Sequence, residues 1–360
     1  MKKNFWKNKK VFITGHTGFK GSWLTVILHH LGAKIAGYSL SPISKPNFFD
    51  DVGLTNLTIK DVRANIKNKK KLYKEIKNFR PSIIFHLAAQ SSVLVSYQND
   101  LDTIETNIVG TANILNIIKD LKFIKSSVIV TTDKVYENLE KKIKFSENEP
   151  LGGHDIYSSS KAACEILTRS YIKSFFSDKK LCKIATVRSG NCIGGGDWTK
   201  DRIIKDCVEK FLFNKSLTVR SPNASRPWQH VIEPLVGYLT LAEKLYKDKD
   251  RKFVGAWNFG PNLRNNLTVL QVANYAKKRF NSLSLIKIFK SKFYESQHLS
   301  LNSSKADKLL KWKNNLSDKN SLDLTLDWYK KFYSLTKKKK RNMIDFTLKQ
   351  IKYYFKECRF

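Results

Sequence analysis

The chain has 360 residues, 41% of them hydrophobic, which is enough to bury one large core or two coupled ones, and no apolar run approaches the roughly 18 residues of a membrane span. Its 66 Lys+Arg against 31 Asp+Glu give a formal charge of +35, but there is no zinc-finger spacing, no RNA-binding aromatic motif and no isolated basic arm. The charge therefore reads as a solvated surface that draws in an anionic ligand, with no nucleic-acid partner. Five scattered cysteines (Cys164, Cys182, Cys192, Cys207 and Cys358) with no CxxC pair, after a basic start too short in apolar residues for a signal peptide, imply reduced thiols, no metal site and a cytoplasmic location.

In chain order, Val11–Thr14 reads as a buried strand and Trp23–Leu31 as the helix that follows it. Lys34–Tyr38 is a second strand and Leu57–Ile59 a third. Leu72–Asn78 is a helix, Ile83–Leu87 a strand and Asp102–Ile118 a long helix. Ser127–Thr131 is a strand, Ser158–Ser174 a long helix and Ile184–Arg188 a further strand. Short β-rich runs alternating with helices predict an α/β fold, a Rossmann-type doubly wound parallel sheet. From Gly194 onward the alternation breaks down into Gly, Asp, Pro and Asn-rich segments.

Between the first strand and helix lies GHTGFKG, with Gly15, Gly18 and Gly21 three residues apart. Glycines that end a strand and open a helix gather backbone N–H groups and the positive helix end at one point, where a dinucleotide pyrophosphate binds. The acidic residue that reads the adenine ribose is missing after the second strand, which offers Gly37, Tyr38, Ser39 and Leu40, and no arginine stands there for a 2′-phosphate. About 140 residues on, Tyr157 and Lys161 form a YxxxK pair on one helix face. A neighbouring ammonium favours the phenolate, making tyrosine a usable base for a sugar hydroxyl. Thr132 ends the strand one step upstream, and Asp133 and Lys134 follow it directly. His16 packs or caps within the loop. His230 is either a satisfied core histidine or a functional one.

The glycine motif, FHLAAQ, TNIVGTANIL, TTDK and YxxxK together resemble the extended short-chain dehydrogenase/reductases. Longer strings, among them PLGGHDIYSSSKA, SGNCIGGGDW, RPWQHVIEPLVGYL and SLNSSKADKLLKW, resemble the nucleotide-sugar 4,6-dehydratases within that family over essentially the whole chain. The resemblance implies tightly bound NAD, a CDP-glucose substrate and a likeness to enzymes that assemble as homodimers or homotetramers. It implies an NAD-binding domain of residues 1–188 plus about 230–260 and a smaller C-terminal α/β substrate domain of about 189–229 plus 261–360. The implied catalytic residues are Thr132, Asp133, Lys134, Tyr157 and Lys161. Those implied for the cofactor are Gly15, Thr17, Gly18, Phe19, Gly21, Asp61, Val62, Leu87, Ala88, Ala89 and Asn107, together with Tyr157 and Lys161. Gln90, Asn191, Arg220, Arg226 and His298 are implied for the substrate. Lys134 is either the base of the elimination or the partner of a carboxylate. A 4-epimerase, or a dehydratase of UDP-N-acetylglucosamine or dTDP-glucose, is the alternative function.

Overall fold

The computed structural model describes residues 3–138, 143–225, 227–261, 267–289, 299–335 and 342–357. Seven strands, β1 (Lys10–Thr14), β2 (Lys34–Ser39), β3 (Lys60–Arg63), β4 (Ile83–His86), β5 (Ser126–Val130), β6 (Lys183–Arg188) and β7 (Gly255–Asn258), form one sheet in the order β7-β6-β5-β4-β1-β2-β3. Every neighbouring pair is parallel. The chain starts at the middle of the sheet, runs to one edge and returns to build the other half, so a crevice opens where β1 and β4 diverge. Strands of such a sheet are apolar on both faces because helices cover both. In β1, Val11 and Ile13 enter one core while Phe12 enters the other.

The helices are α1 (Phe19–His30), α2 (Lys69–Phe79), α3 (Gly110–Asp120), α4 (Ile156–Phe175), α5 (Ile203–Leu212), α6 (Ile232–Lys247), α7 (Val269–Arg279), α8 (Asp318–Ser334) and α9 (Ile344–Glu357), with shorter turns between. Two expectations are corrected. The third strand lies at Lys60–Arg63, three residues past the expected Leu57–Ile59, because Leu54–Leu57 is a 3-10 turn that buries Leu54. The long helix around Asp102–Ile118 is not uniform: Asp100–Ile104 leads into a π-helical turn, Glu105–Val109, before α3 begins.

The C-terminal helices pack back on the N-terminal half. Phe355 of α9 stacks on His30 of α1, and the Trp328 indole of α8 donates to Thr347 Oγ1 at 2.9 Å. Gly195 and Gly196 lie against Trp328 and Phe48, where a Cβ would fall 2.0 and 2.3 Å from ring atoms. The glycine run Gly194–Gly196 thus serves an aromatic core that also holds Trp23, Trp198 and Phe332. Glu233 of α6 anchors the same region: its carboxylate accepts from the N–H groups of Asn315 and Leu316 at 2.7 and 2.6 Å and from the Tyr354 hydroxyl at 2.7 Å. Among the described residues, no helix is long and apolar enough to cross a membrane.

Candidate active site

The carboxyl ends of β1, β4, β5 and β6 face one cleft. Gly15 follows β1 with φ +76°, a left-handed conformation that glycine adopts freely, and packs on the Leu87–Ala88 backbone beyond β4. A Cβ on Gly21 would sit 2.1 Å from the Gly15 carbonyl oxygen, so this glycine lets the first turn of α1 close on the loop. Gly18 differs: a Cβ there meets only that oxygen at 3.5 Å, an ordinary contact. Gly18 is also the N-cap of α1, and no side chain caps the helix. Packing demands two of the glycines, and the third keeps space open in front of unsatisfied helix N–H groups. That arrangement fits a pyrophosphate.

The remaining cofactor expectations surround this loop. Thr17 Oγ1 bonds Ser39 Oγ at 2.8 Å and donates to the Leu40 carbonyl, tying the loop to the end of β2. Phe19 is half-buried against Gly194. His16 is buried over Gly37, and its Nε2 lies 2.8 Å from Asp61 Oδ1, while Arg63 donates to Asp61 Oδ2 at 2.9 Å. Burial disfavours the Asp61 carboxylate, but His16 and Arg63 outweigh it and hold the carboxyl below its usual range. Val62 points into the core. Leu87, Ala88 and Ala89 line the β4 exit, half-exposed. Asn107 is buried with its hydrogen-bonding capacity spent inside the protein: Oδ1 accepts from the Gln90 N–H at 2.9 Å, and Nδ2 donates to the Gln90 carbonyl and Ser160 Oγ. The π turn brings it inward, and it fixes the position of Gln90, whose own amide folds back on Ser92 and Thr103.

The proton-transfer candidates converge. Thr132 caps the short turn Asp133–Val135, donates to Asp133 Oδ1 at 3.1 Å and favours ionisation of the Tyr157 phenol. Asp155 caps α4 by accepting from the Ser158 N–H at 2.9 Å, and α4 carries Tyr157 and Lys161, both buried. Lys134 is half-buried and makes no side-chain hydrogen bond or ion pair with any described residue, so the expected alternative of a carboxylate partner is not met among them. Burial pushes the Tyr157 phenol up, against the opposing influence of Thr132 and the Lys20 ammonium. Lys161 donates to the Val130 carbonyl at 2.8 Å, and burial lowers its pKa.

Behind Lys161 stands a buried ion pair: Arg188 Nε and Nη2 reach the two Glu165 oxygens at 2.9 and 2.8 Å, and Arg188 Nη1 donates to Tyr136 Oη at 2.7 Å. Tyr136 in turn donates to Asn258 Oδ1 at 2.8 Å. Neither ionic partner is in the cleft. The residue that motif reading missed is Lys20. Its ammonium donates to Ser189 Oγ at 2.7 Å, and the Tyr238 hydroxyl meets the same oxygen at 2.9 Å. It was hidden inside a glycine motif, although a single lysine in the otherwise apolar FKGSWLTVIL stretch is itself a signal.

The substrate expectations converge less. Asn191 is exposed just past β6. Arg220 is 42% exposed and already paired with Asp201 at 2.7 Å. Arg226 and His298 lie outside the described residues. His230 is wholly buried beside Trp23, and burial pushes its pKa down to about 3, so it is a neutral core histidine.

A parallel sheet in this order, a glycine loop at its switch point and a Tyr-x-x-x-Lys helix beside the Thr132 turn define an extended short-chain dehydrogenase/reductase. The chain belongs to the GDP-mannose 4,6 dehydratase family, whose model matches residues 12–323. It is 39% identical over 333 residues to CDP-glucose 4,6-dehydratase of Salmonella typhimurium, covering 91% of this chain and 92% of that one. It is 30% identical over 226 residues to dTDP-D-glucose 4,6-dehydratase of Dictyostelium discoideum, covering 59% of this chain and 50% of that one. Among solved structures, UDP-glucose 4-epimerase of Thermotoga maritima aligns with TM-score 0.78 at 19% identity, over 89% of this chain and 99% of that one. dTDP-glucose 4,6-dehydratase of Bacillus anthracis aligns with TM-score 0.75 at 23% identity, over 90% and 97%. These structures share the fold.

Proposed function

We propose that the protein is an NAD-dependent nucleotide-sugar 4,6-dehydratase that converts CDP-glucose to CDP-4-dehydro-6-deoxyglucose and water. The observation that carries the reading is the buried Tyr157–Lys161 pair beside the Thr132 turn, with a half-buried Lys134, two residues beyond that threonine, whose side chain has no partner among the described residues. A 4-epimerase on this fold needs only the first pair, and the elimination needs a second proton-transfer group. The 39% identity over nearly the full length of the Salmonella enzyme supports CDP-glucose as substrate.

NAD, when bound at the glycine loop, supplies the acceptor and later the donor of one hydride. Tyr157 takes the proton from the sugar O4, with Thr132 sharing the same oxygen, and Lys161 holds the ribose hydroxyls. The 4-keto group acidifies the C5 proton, which Lys134 removes. Asp133 gives its proton to the departing 6-hydroxyl, and Lys134 returns one to C5. Because the hydride returns to C6, no net NADH forms. Residues 1–188 with about 230–260 hold the cofactor, and 189–229 with 261–360 hold the sugar nucleotide. In that part Asn191, Arg220, Arg226 and His298 are the substrate candidates.

The test offers CDP-, dTDP-, GDP- and UDP-sugars and follows the alkaline absorbance of a 4-keto-6-deoxy product. CDP-glucose alone is expected to give it, without stoichiometric NADH. Tyr157→Phe is expected to lose roughly 10²–10⁴-fold in rate and to show no enzyme-bound NADH. Lys134→Met still reduces the cofactor but stalls before exchanging C5–H with deuterated water. Lys134→Met exchanging and turning over like wild type excludes Lys134 as the base.

A further inference from the structure

The end of β2 carries no carboxylate, and the fold brings other groups to that place. β2 and β3 pair with Gly37 beside Asp61 and Ser39 beside Arg63, so these four residues share one face of the sheet at its carboxyl edge. The glycine loop lies over the same face, where a Cβ on Gly37 would fall 2.3 Å from the His16 ring. Thr17 of that loop reaches the edge: its Oγ1 lies 2.8 Å from Ser39 Oγ and donates to the Leu40 carbonyl at 2.9 Å. The same carbonyl accepts from Arg63 Nη1 at 3.2 Å. Two hydroxyls and a guanidinium are gathered in one cluster. The arginine that β2 lacks arrives from β3, 23 residues past Leu40. Its guanidinium carbon sits 4.4 Å from the centre of the Phe49 ring, and its side chain is still 32% exposed.

We infer that the adenosine end of this site accepts a 2′-phosphate: Arg63, with the Ser39 and Thr17 hydroxyls, lets NADP bind alongside NAD. The inference rests on the reading of the glycine loop as a dinucleotide site. In a site of this fold the adenosine ribose lies at the end of β2. An acidic side chain there binds the 2′-hydroxyl and repels a 2′-phosphate, whereas an arginine accepts that phosphate. The carboxylate nearest Arg63 is Asp61, and both of its oxygens are engaged, Oδ1 with His16 Nε2 at 2.8 Å and Oδ2 with Arg63 Nη2 at 2.9 Å. The two acidic residues that follow Phe49 are also turned to other partners: Asp50 Oδ2 accepts from Asn47 Nδ2 at 2.7 Å and Asp51 Oδ2 from the Trp198 indole at 3.0 Å. Among the described residues Arg63 engages two acceptors, the Leu40 carbonyl and Asp61 Oδ2. A guanidinium carries five N–H donors in a planar fork, so donors remain for phosphate oxygens. The cluster therefore holds what a 2′-phosphate needs and no free carboxylate to repel it.

The test is calorimetric titration of the nucleotide-free protein with NAD and with NADP. Wild type is expected to bind NADP within about tenfold of NAD. Arg63→Met is expected to lower the ratio of NADP to NAD affinity by about 10–100-fold, the worth of a hydrogen bond to a charged group. Because a ratio is read, any loss shared by both dinucleotides through a displaced Asp61 cancels. Arg63→Lys, which keeps the charge without the fork, recovers part of the ratio. Ser39→Asp supplies the missing carboxylate and leaves Arg63 in place; it is expected to lower the same ratio by at least about tenfold. If Arg63→Met fails to fold, Ser39→Asp carries the test alone. A wild-type preference for NAD beyond tenfold, an Arg63→Met protein that loses both dinucleotides equally, or an unchanged ratio in Ser39→Asp overturns the inference. Binding of neither dinucleotide by wild type sinks the reading of the glycine loop instead, so the two failures are distinguishable.

Discussion

The three glycines of the loop answer to different forces, and alanine at each separates them. At Gly21 a methyl would lie 2.1 Å from the Gly15 oxygen and 2.9 Å from His16 Cα, and both are backbone. Nothing flexible yields, so α1 must move off the sheet at a cost of about 3 kcal/mol, with a Tm lower by several degrees. At Gly18 the same methyl touches the Gly15 oxygen at 3.5 Å, with φ −76° and ψ 165° open to any residue. Stability is therefore expected to change by less than about 1 kcal/mol. The methyl instead projects where phosphate oxygens would approach the free N–H groups, and NAD affinity is expected to fall about 10–100-fold, or about 1.4–2.8 kcal/mol. The assay pairs thermal denaturation of the cofactor-free protein with calorimetric titration of NAD. Gly18→Ala binding NAD within twofold of wild type, or Gly21→Ala melting with wild type, refutes the assignment.

Burial raises the Glu233 carboxyl to about 7, so its contribution to stability is fully present below its unfolded value and is lost as pH rises through about 7. Replacing it with Gln, which keeps the acceptor for Asn315 and Leu316, is expected to remove that slope, on the order of 3 kcal/mol between acid and alkaline limits. Urea midpoints that differ from wild type by the same amount at pH 5 and pH 8.5 would count against it. We also propose a dimer through α4 and the helical run before α3, where Leu101, Ile104, Val109 and Ile166 stay exposed at 70%, 36%, 46% and 45%. Light scattering is expected to give at least twice the chain mass at micromolar concentration and the single mass for a Leu101→Glu/Val109→Glu double variant; a wild-type monomer ends the proposal.

The sheet was legible because buried parallel strands are short apolar runs, and five of its seven strands register in the sequence; β7, the short GAWN at Gly255–Asn258, went unread in the stretch past Gly194 where the alternation breaks down. KDVR at Lys60–Arg63 is polar, and only pairing with β2 makes it a strand, so reading displaced it to the apolar Leu57–Ile59. The helix around Asn107 was visible, but a π turn has no periodic signature. The glycines at Gly194–Gly196 were recognised only as part of a string, because what they admit, Trp328 and Phe48, is distant in sequence. Tyr157 and Lys161 were readable from spacing and Thr132 from its place at the strand end, whereas the role of Asp133 came only with the family resemblance. Lys20 was not readable, since its partner Ser189 lies 169 residues away.

Strand β7 has a consequence for synthesis. Six strands leave the ribosome by Arg188, but the seventh, which completes the sheet beside β6, ends at Asn258. Until then the Tyr136 hydroxyl lacks its acceptor, and the charged Arg188–Glu165 pair stands at an open sheet edge. The nascent chain therefore carries a template for unwanted strand pairing through some 70 residues of elongation, several seconds at ribosomal rates. A lone buried charge pair at that edge disfavours an apolar strand from another chain, and the same contacts that support the catalytic helix in the finished protein guard the unfinished one.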